Sequence, residues 1–192
     1  MRKSRQETAE TRKRIVHAAS VEFRRDGIGA TGLADLMSAA GLTHGGFYRH
    51  FESKDQLVAE VCSEAFAETA KDLATAIKGR RGRKALQSTA SAYLSTSHRD
   101  DPGTGCPLAS LGSEIARCDE RARSEATAGI TNMVETIAGQ LEEDRPARAK
   151  RQALVALSTM VGALTLSRIV DDPALSKLIL REAEKHIAES SN

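Results

Sequence analysis

Apolar residues recur along this chain at spacings of three and four, the mark of one buried helix face, and few stretches alternate apolar with polar as a strand would. Cutting the pattern at its breaks predicts nine helices, near residues 8–25, 33–40, 44–50, 54–78, 83–98, 107–117, 119–142, 146–170 and 173–189. All four prolines, Pro102, Pro107, Pro146 and Pro173, fall at these breaks, and the last three open a helix, where a missing N–H costs nothing. The fold read from this pattern is all-α.

Within the first helix Ile15, Ala19 and Phe23 make an inward stripe, which leaves Arg12, Lys13, Arg24 and Arg25 mostly outside it, and the helix should stop at Asp26-Gly27. The run Ser53-Lys54-Asp55-Gln56 is a capping box that starts the long fourth helix. Residues 1–7 lack apolar periodicity and read as a mobile basic arm; 78–84 read as a charged, solvated loop, and 98–107 as the longest turn-rich stretch.

Between Thr31 and Phe51 a short helix, a glycine break and a second short helix follow one another, which is helix-turn-helix spacing. Leu33, Leu36, Met37 and Ala40 give the first of these an apolar face, Gly41 supplies the left-handed residue that ends it, and Thr43 is placed to cap the next through its hydroxyl. In the second, Phe47 and Phe51 point inward and leave Thr43, His44, Gly45, Gly46, Tyr48, Arg49 and His50 for a partner. Two adjacent glycines cost roughly 1 kcal/mol each in a helix interior, so a close approach by another molecule would account for them. Double-stranded DNA is the natural partner, since a recognition helix enters the major groove N-terminus first.

Charge supports that direction. The net charge is only +2, yet residues 1–54 hold ten Lys/Arg against six Asp/Glu while the remainder holds eighteen against twenty. A basic N-terminal quarter suits contact with phosphates. Aromatics make up only 3% of the chain and tryptophan is absent, in keeping with helix over sheet. Three cysteines without paired spacing, no signal peptide and no apolar run of membrane-spanning length point to a reducing cytoplasm and to no membrane partner. The five histidines show no metal-ligand spacing, and no metal or cofactor is assigned.

Residues from about Thr11 to Leu57 closely resemble the N-terminal domain of TetR/AcrR-type regulators, above all in Gly41-Leu42-Thr43, in Gly45 to Phe51 and in Ser53 to Leu57. The resemblance implies a three-helix DNA-binding domain over 1–53 and a helical ligand-binding and dimerisation domain over 54–192. It further implies that Tyr48 and Lys54 touch phosphates, that Thr43, His44, Gly45 and Gly46 face base edges, and that Gly32 and Leu33 lie against the DNA backbone. Many members carry Ser or Thr where this chain has Gly32 and Gly46, so backbone N–H groups would stand in for hydroxyls there. Repression, with release from a palindromic operator by a small molecule, is the mode the resemblance implies.

For the body of the protein the expectations are as follows. The last two helices should form the homodimer interface, through Ala156, Met160, Ala163, Ser167, Leu178 and Ile179, since the eighth is apolar over most of its circumference. The middle helices should enclose an unknown small, mainly apolar ligand near Phe66, Tyr93, Leu111 and Met133. Cys106, just before a helix N-terminus, is a candidate sensor thiol for oxidants or electrophiles, because the helix dipole favours thiolate. Two rivals stay open: a cysteine hydrolase using Cys106 with His98, which lacks an orienting third residue, and a non-specific architectural DNA binder.

Overall fold

A computed structural model describes residues 5–141 and 145–189. Among these residues it is helical throughout, with α1 (Arg5–Asp26), α2 (Leu33–Ala39), a 3-10 helix (His44–Arg49), α3 (Lys54–Ile77), α4 (Gly82–Tyr93), α5 (Thr96–Asp100), α6 (Pro107–Ile115), α7 (Glu120–Ala138), α8 (Pro146–Ile169) and α9 (Pro173–Glu189). No strand occurs among them. Pro107, Pro146 and Pro173 each open a helix as expected.

Three boundaries differ from the expectation. Helix α1 starts at Arg5, so the last three residues of the supposed arm are helical, and its first four lie outside the described residues. The fifth predicted helix is two: α4 ends at Tyr93 with Leu94 as its C-cap, and Ser95 starts α5 by accepting the His98 N–H at 3.2 Å. The second helix of the helix-turn-helix is 3-10 rather than α.

The buried apolar cluster runs without interruption from Ile15 in α1 to Ile187 in α9. Its centre is α3, which packs along α7 on one side and against α1 on the other. Phe66 of α3 seats against Gly129 of α7 so closely that a Cβ built on that glycine would lie 2.4 Å from the ring. Phe66, Leu111 and Met133 are therefore core residues under solid packing, not walls of a cavity.

On α8 the residues expected at the dimer contact turn out to face this chain's own core. Ala156, Met160, Ala163 and Ser167 are buried within the single chain and cannot meet a second one. Ser167 in addition accepts, through its carbonyl, the Ser176 hydroxyl at 2.6 Å and ties α8 to α9. The apolar surface left outside is a different set: Leu154, Val155, Leu166 and Ile169 of α8 and Leu175 and Leu178 of α9. Ile179 is half-buried against the core.

Candidate nucleic-acid interface

Five fully buried side chains, Ile15, Phe23, Leu36, Met37 and Leu57, form the floor on which the helix-turn-helix sits. Onto it Phe47 and Phe51 stack, with centroids 5.5 Å apart and planes at 23°, and the Arg12 guanidinium covers Phe51 at 4.1 Å. Arg12 is itself paired with Glu60 of α3. The turn before the recognition element closes as a Schellman motif: the Leu42 N–H donates to the Met37 carbonyl at 2.8 Å, that of Gly41 to Ser38 at 2.9 Å, and Gly41 takes φ +69°.

With the two phenylalanines turned in, Thr43, His44, Gly45, Tyr48 and Arg49 are exposed, while Gly46 and His50 are half-buried. Tyr48 stands 66% exposed, edge-on to Phe47 at 5.2 Å. Neither glycine of the pair is demanded by packing. A Cβ on Gly45 would meet nothing within 4 Å, one on Gly46 would make ordinary contact with Met37 at 3.5 Å, and neither residue has positive φ. Thr43 does not cap through its hydroxyl as expected. The tighter 3-10 turn brings the Gly46 N–H onto the Thr43 carbonyl instead, at 2.9 Å. Gly32, exposed and extended, is the N-cap residue of α2 without a side-chain acceptor, and Leu33 packs partly under the head.

Two basic residues do something other than the sequence suggested. Lys54 is not simply held out for a phosphate: its ammonium donates to the carbonyls of Ile28 at 2.6 Å and Thr31 at 2.7 Å and lies 5.6 Å above the Phe23 ring. Two of its three N–H groups thus fix the α1–α2 loop. Arg24, expected on the outside of α1, is buried; it donates to the Ser20 carbonyl and hydroxyl, to Glu68 and, at 2.9 Å, to the Gly105 carbonyl. The Ser53 half of the capping box forms as read, the Gln56 N–H donating to the Ser53 hydroxyl, whereas the Gln56 side chain reaches one residue further back and accepts the Glu52 N–H.

Away from the head, a cavity of about 350 Å³ opens between α3, α4, α5 and the segment leading into α6. Leu73, Ala76, Ala92, Tyr93 and Cys106 give it an apolar floor, and Thr69, Asp72, Ser95, Ser97, Asp101 and Thr104 a hydroxyl- and carboxylate-bearing rim, so it is mixed rather than mainly apolar. Of the ligand residues expected from sequence it contains Tyr93 and Cys106 only. Burial pushes the Cys106 thiol up, against the lowering effect of the Tyr93 hydroxyl and the first N–H groups of α6, so burial opposes the thiolate that the helix dipole favours. His98 is no base for that thiol. Its Nε2 accepts the Cys106 backbone N–H at 2.9 Å while Nδ1 meets the Tyr93 carbonyl at 2.7 Å, which fixes the neutral ring with its proton on Nδ1.

Sequence reasoning missed one grouping. His17 of α1 comes together with Glu64 and Glu68 of α3, one nitrogen and two carboxylate oxygens within 4.8 Å of one another. The two glutamates lie 47 and 51 positions from His17, and their own helical spacing of four was the only signal available.

Compared with known proteins, residues 15–61 match the family described as bacterial regulatory proteins of the tetR family, and residues 82–183 match the LmrA/YxaF-like transcriptional regulator C-terminal domain. The second match alone spans more than half the chain. This protein belongs to the TetR family of transcription regulators. An uncharacterized HTH-type transcriptional regulator of Mycobacterium tuberculosis is 27% identical over 179 residues, covering 89% of this chain and 91% of its own. The HTH-type regulator TtgR of Pseudomonas putida is 38% identical over 76 residues, 40% of this chain and only 36% of TtgR. Among solved structures, a TetR regulator of Chloroflexus aurantiacus superposes with TM-score 0.79 at 29% identity, over 96% of this chain and 95% of that one. The reduced form of Escherichia coli NemR gives 0.78 at 21% identity, over 93% and 95%, a likeness of fold.

Proposed function

We propose that this TetR-family regulator is a cytoplasmic homodimeric repressor that holds a palindromic operator in double-stranded DNA and leaves it when a small ligand fills the cavity beside Tyr93. The observation that carries the DNA reading is the recognition element itself. A stacked phenylalanine pair anchors it from within, and Thr43, His44, Gly45, Tyr48 and Arg49 are left outside together, Tyr48 at 66% exposure. In this reading Thr43, His44, Gly45, Gly46 and Arg49 approach base edges, Tyr48 and His50 the phosphates, and Gly32 and Leu33 present the first N–H groups of α2 to the backbone. Lys54 sets the α1–α2 loop with two N–H groups and has its third to offer a phosphate.

A single head of this size reads too few base pairs, and a second copy would place its partner about 34–36 Å away along the duplex, or a multiple of that. The outward residues Leu154, Val155, Leu166, Ile169, Leu175 and Leu178 support that second copy, since so much apolar surface on two adjacent helices calls for a cover. By length and composition α8 is long and apolar enough to cross a membrane. Its inner half is nonetheless packed into the core, and Ser158 and Gly162 break the outer face, which suits a protein partner better than lipid.

Release is supported by a hydrogen bond that joins the cavity's wall to the head: Arg24 of α1 holds the carbonyl of Gly105, next to Cys106, at 2.9 Å. Outside the cavity, Glu114 near the end of α6, the helix that Cys106 leads into, accepts the Gly29 N–H of the α1–α2 loop at 2.9 Å. A ligand that shifts the 101–106 segment would bear on the first of these directly. Footprinting on genomic DNA tests the reading: one short palindromic protected site is expected, and broad protection without sequence preference would replace it with the architectural reading. A thermal-shift panel of amphipathic compounds with the purified protein then tests the ligand, with stabilisation and loss of the footprint expected together.

A further inference from the structure

Glu64 and Glu68, one turn apart on α3, direct their carboxylates toward α1, and His17 meets them from across the helix–helix contact. The His17 Nδ1 lies 3.5 Å from Glu64 Oε1 and 4.0 Å from Glu68 Oε1. These separations are longer than close hydrogen bonds, and small side-chain adjustments would bring the three atoms to the spacing an ion between them imposes. With metal–ligand distances of about 2.0–2.2 Å in tetrahedral geometry, neighbouring ligand atoms stand about 3.4 Å apart.

Two further features belong to a built site. The other oxygen of Glu68 is held at 3.2 Å by Arg24, whose side chain is 1% exposed, so one ligand is oriented by a buried hydrogen bond from behind, as metal-bound carboxylates are. His17 is 66% exposed, which gives an ion an entry path and room for a water in the fourth position.

We propose that His17, Glu64 and Glu68 bind a divalent transition-metal ion of zinc-like ligand preference that staples α1, and with it the DNA-binding head, to α3. One imidazole and two carboxylates select zinc, cobalt or nickel over calcium and magnesium, which take oxygen ligands alone. The three ligands include no residue of the recognition element, so failure of this site would leave the DNA reading standing.

The test uses the full chain without an affinity tag, stripped with chelator and titrated with Zn²⁺ by calorimetry and with Co²⁺ by visible absorption. One ion per chain, a rise in melting temperature on adding Zn²⁺, and d–d bands without a thiolate charge-transfer band are expected. His17→Ala and Glu64→Gln should each weaken binding by about tenfold or more and abolish the thermal shift, whereas His44→Ala, on the recognition element, should change neither. His17 is exposed and its replacement leaves the core intact, so a folded His17→Ala chain that binds Zn²⁺ as wild type does would overturn the proposal. So would a thiolate band, which would move the metal to a cysteine, or the absence of binding at millimolar Zn²⁺.

Discussion

Lys54 and Tyr48, both expected from the sequence to meet phosphates, are placed differently in the structure, and substitution should separate them. The Lys54 ammonium closes two carbonyls of the α1–α2 loop, so Lys54→Ala is expected to lower both DNA affinity and stability, the latter by about 1–3 kcal/mol in thermal denaturation. Tyr48 is mostly in solvent; Tyr48→Ala should weaken binding to all DNA sequences alike and leave the melting temperature where it is. His98 gives a pH dependence. Burial holds its ring below the ordinary histidine range, so the unfolded chain takes up the proton first. Its contribution to stability is thus fully present above about pH 6.5 and is lost as the pH falls from there through the folded-state value. Melting temperature against pH should drop less steeply on the acid side in His98→Gln than in wild type. At this scale, what sequence reveals depends on distance along the chain. The Ser53–Gln56 box and the Phe47/Phe51 pair are local and were readable. The acceptors of Lys54 lie 23 and 26 residues away and that of Arg24 81 away, so nothing in the neighbouring letters disclosed them.

At the scale of elements, the helix-turn-helix was legible because its turn demands a particular residue. Gly41 has ample space around it but φ +69°, so Gly41→Ala should cost about 1 kcal/mol through backbone strain alone, measurable by denaturant unfolding. Gly45 is the converse case, without positive φ and with nothing nearby. Gly45→Ala is expected to leave stability unchanged or slightly raised while reducing operator affinity in a mobility-shift assay; an unchanged affinity would remove the idea that DNA approaches the backbone there. The break between α4 and α5 escaped the sequence reading for an opposite reason. Apolar periodicity continues through Tyr93 and Leu94, and only the side chain of Ser95, which donates to the Ala92 carbonyl at 2.9 Å and accepts from His98, starts a new axis.

For the molecule as a whole, composition and period fixed an all-helical fold, yet they could not say which side of an all-round apolar helix looks inward. The residues expected at the dimer contact on α8 are packed inside one chain, and the face left over starts at Leu154 and ends at Ile169. Leu166→Glu with Ile169→Glu should therefore yield a monomer by light scattering with an unchanged helical circular dichroism spectrum, whereas Ala163→Glu should unfold the chain. A dimer that survives the double substitution would place the interface elsewhere.

The seat of Phe66 on Gly129 bears on how a signal could travel. Helix α3 meets the DNA-binding head at its Lys54 end and carries this seat near its middle, about three turns along, so it has a fixed bearing point. Sliding α3 along α7 would mean withdrawing an aromatic ring from a socket with no slack, whereas rocking about the ring needs only small adjustments at the ends. Rocking of α3 would then pivot on Phe66, and a displacement of the Asp72–Ala76 end beside the cavity would reach Lys54 with its direction reversed.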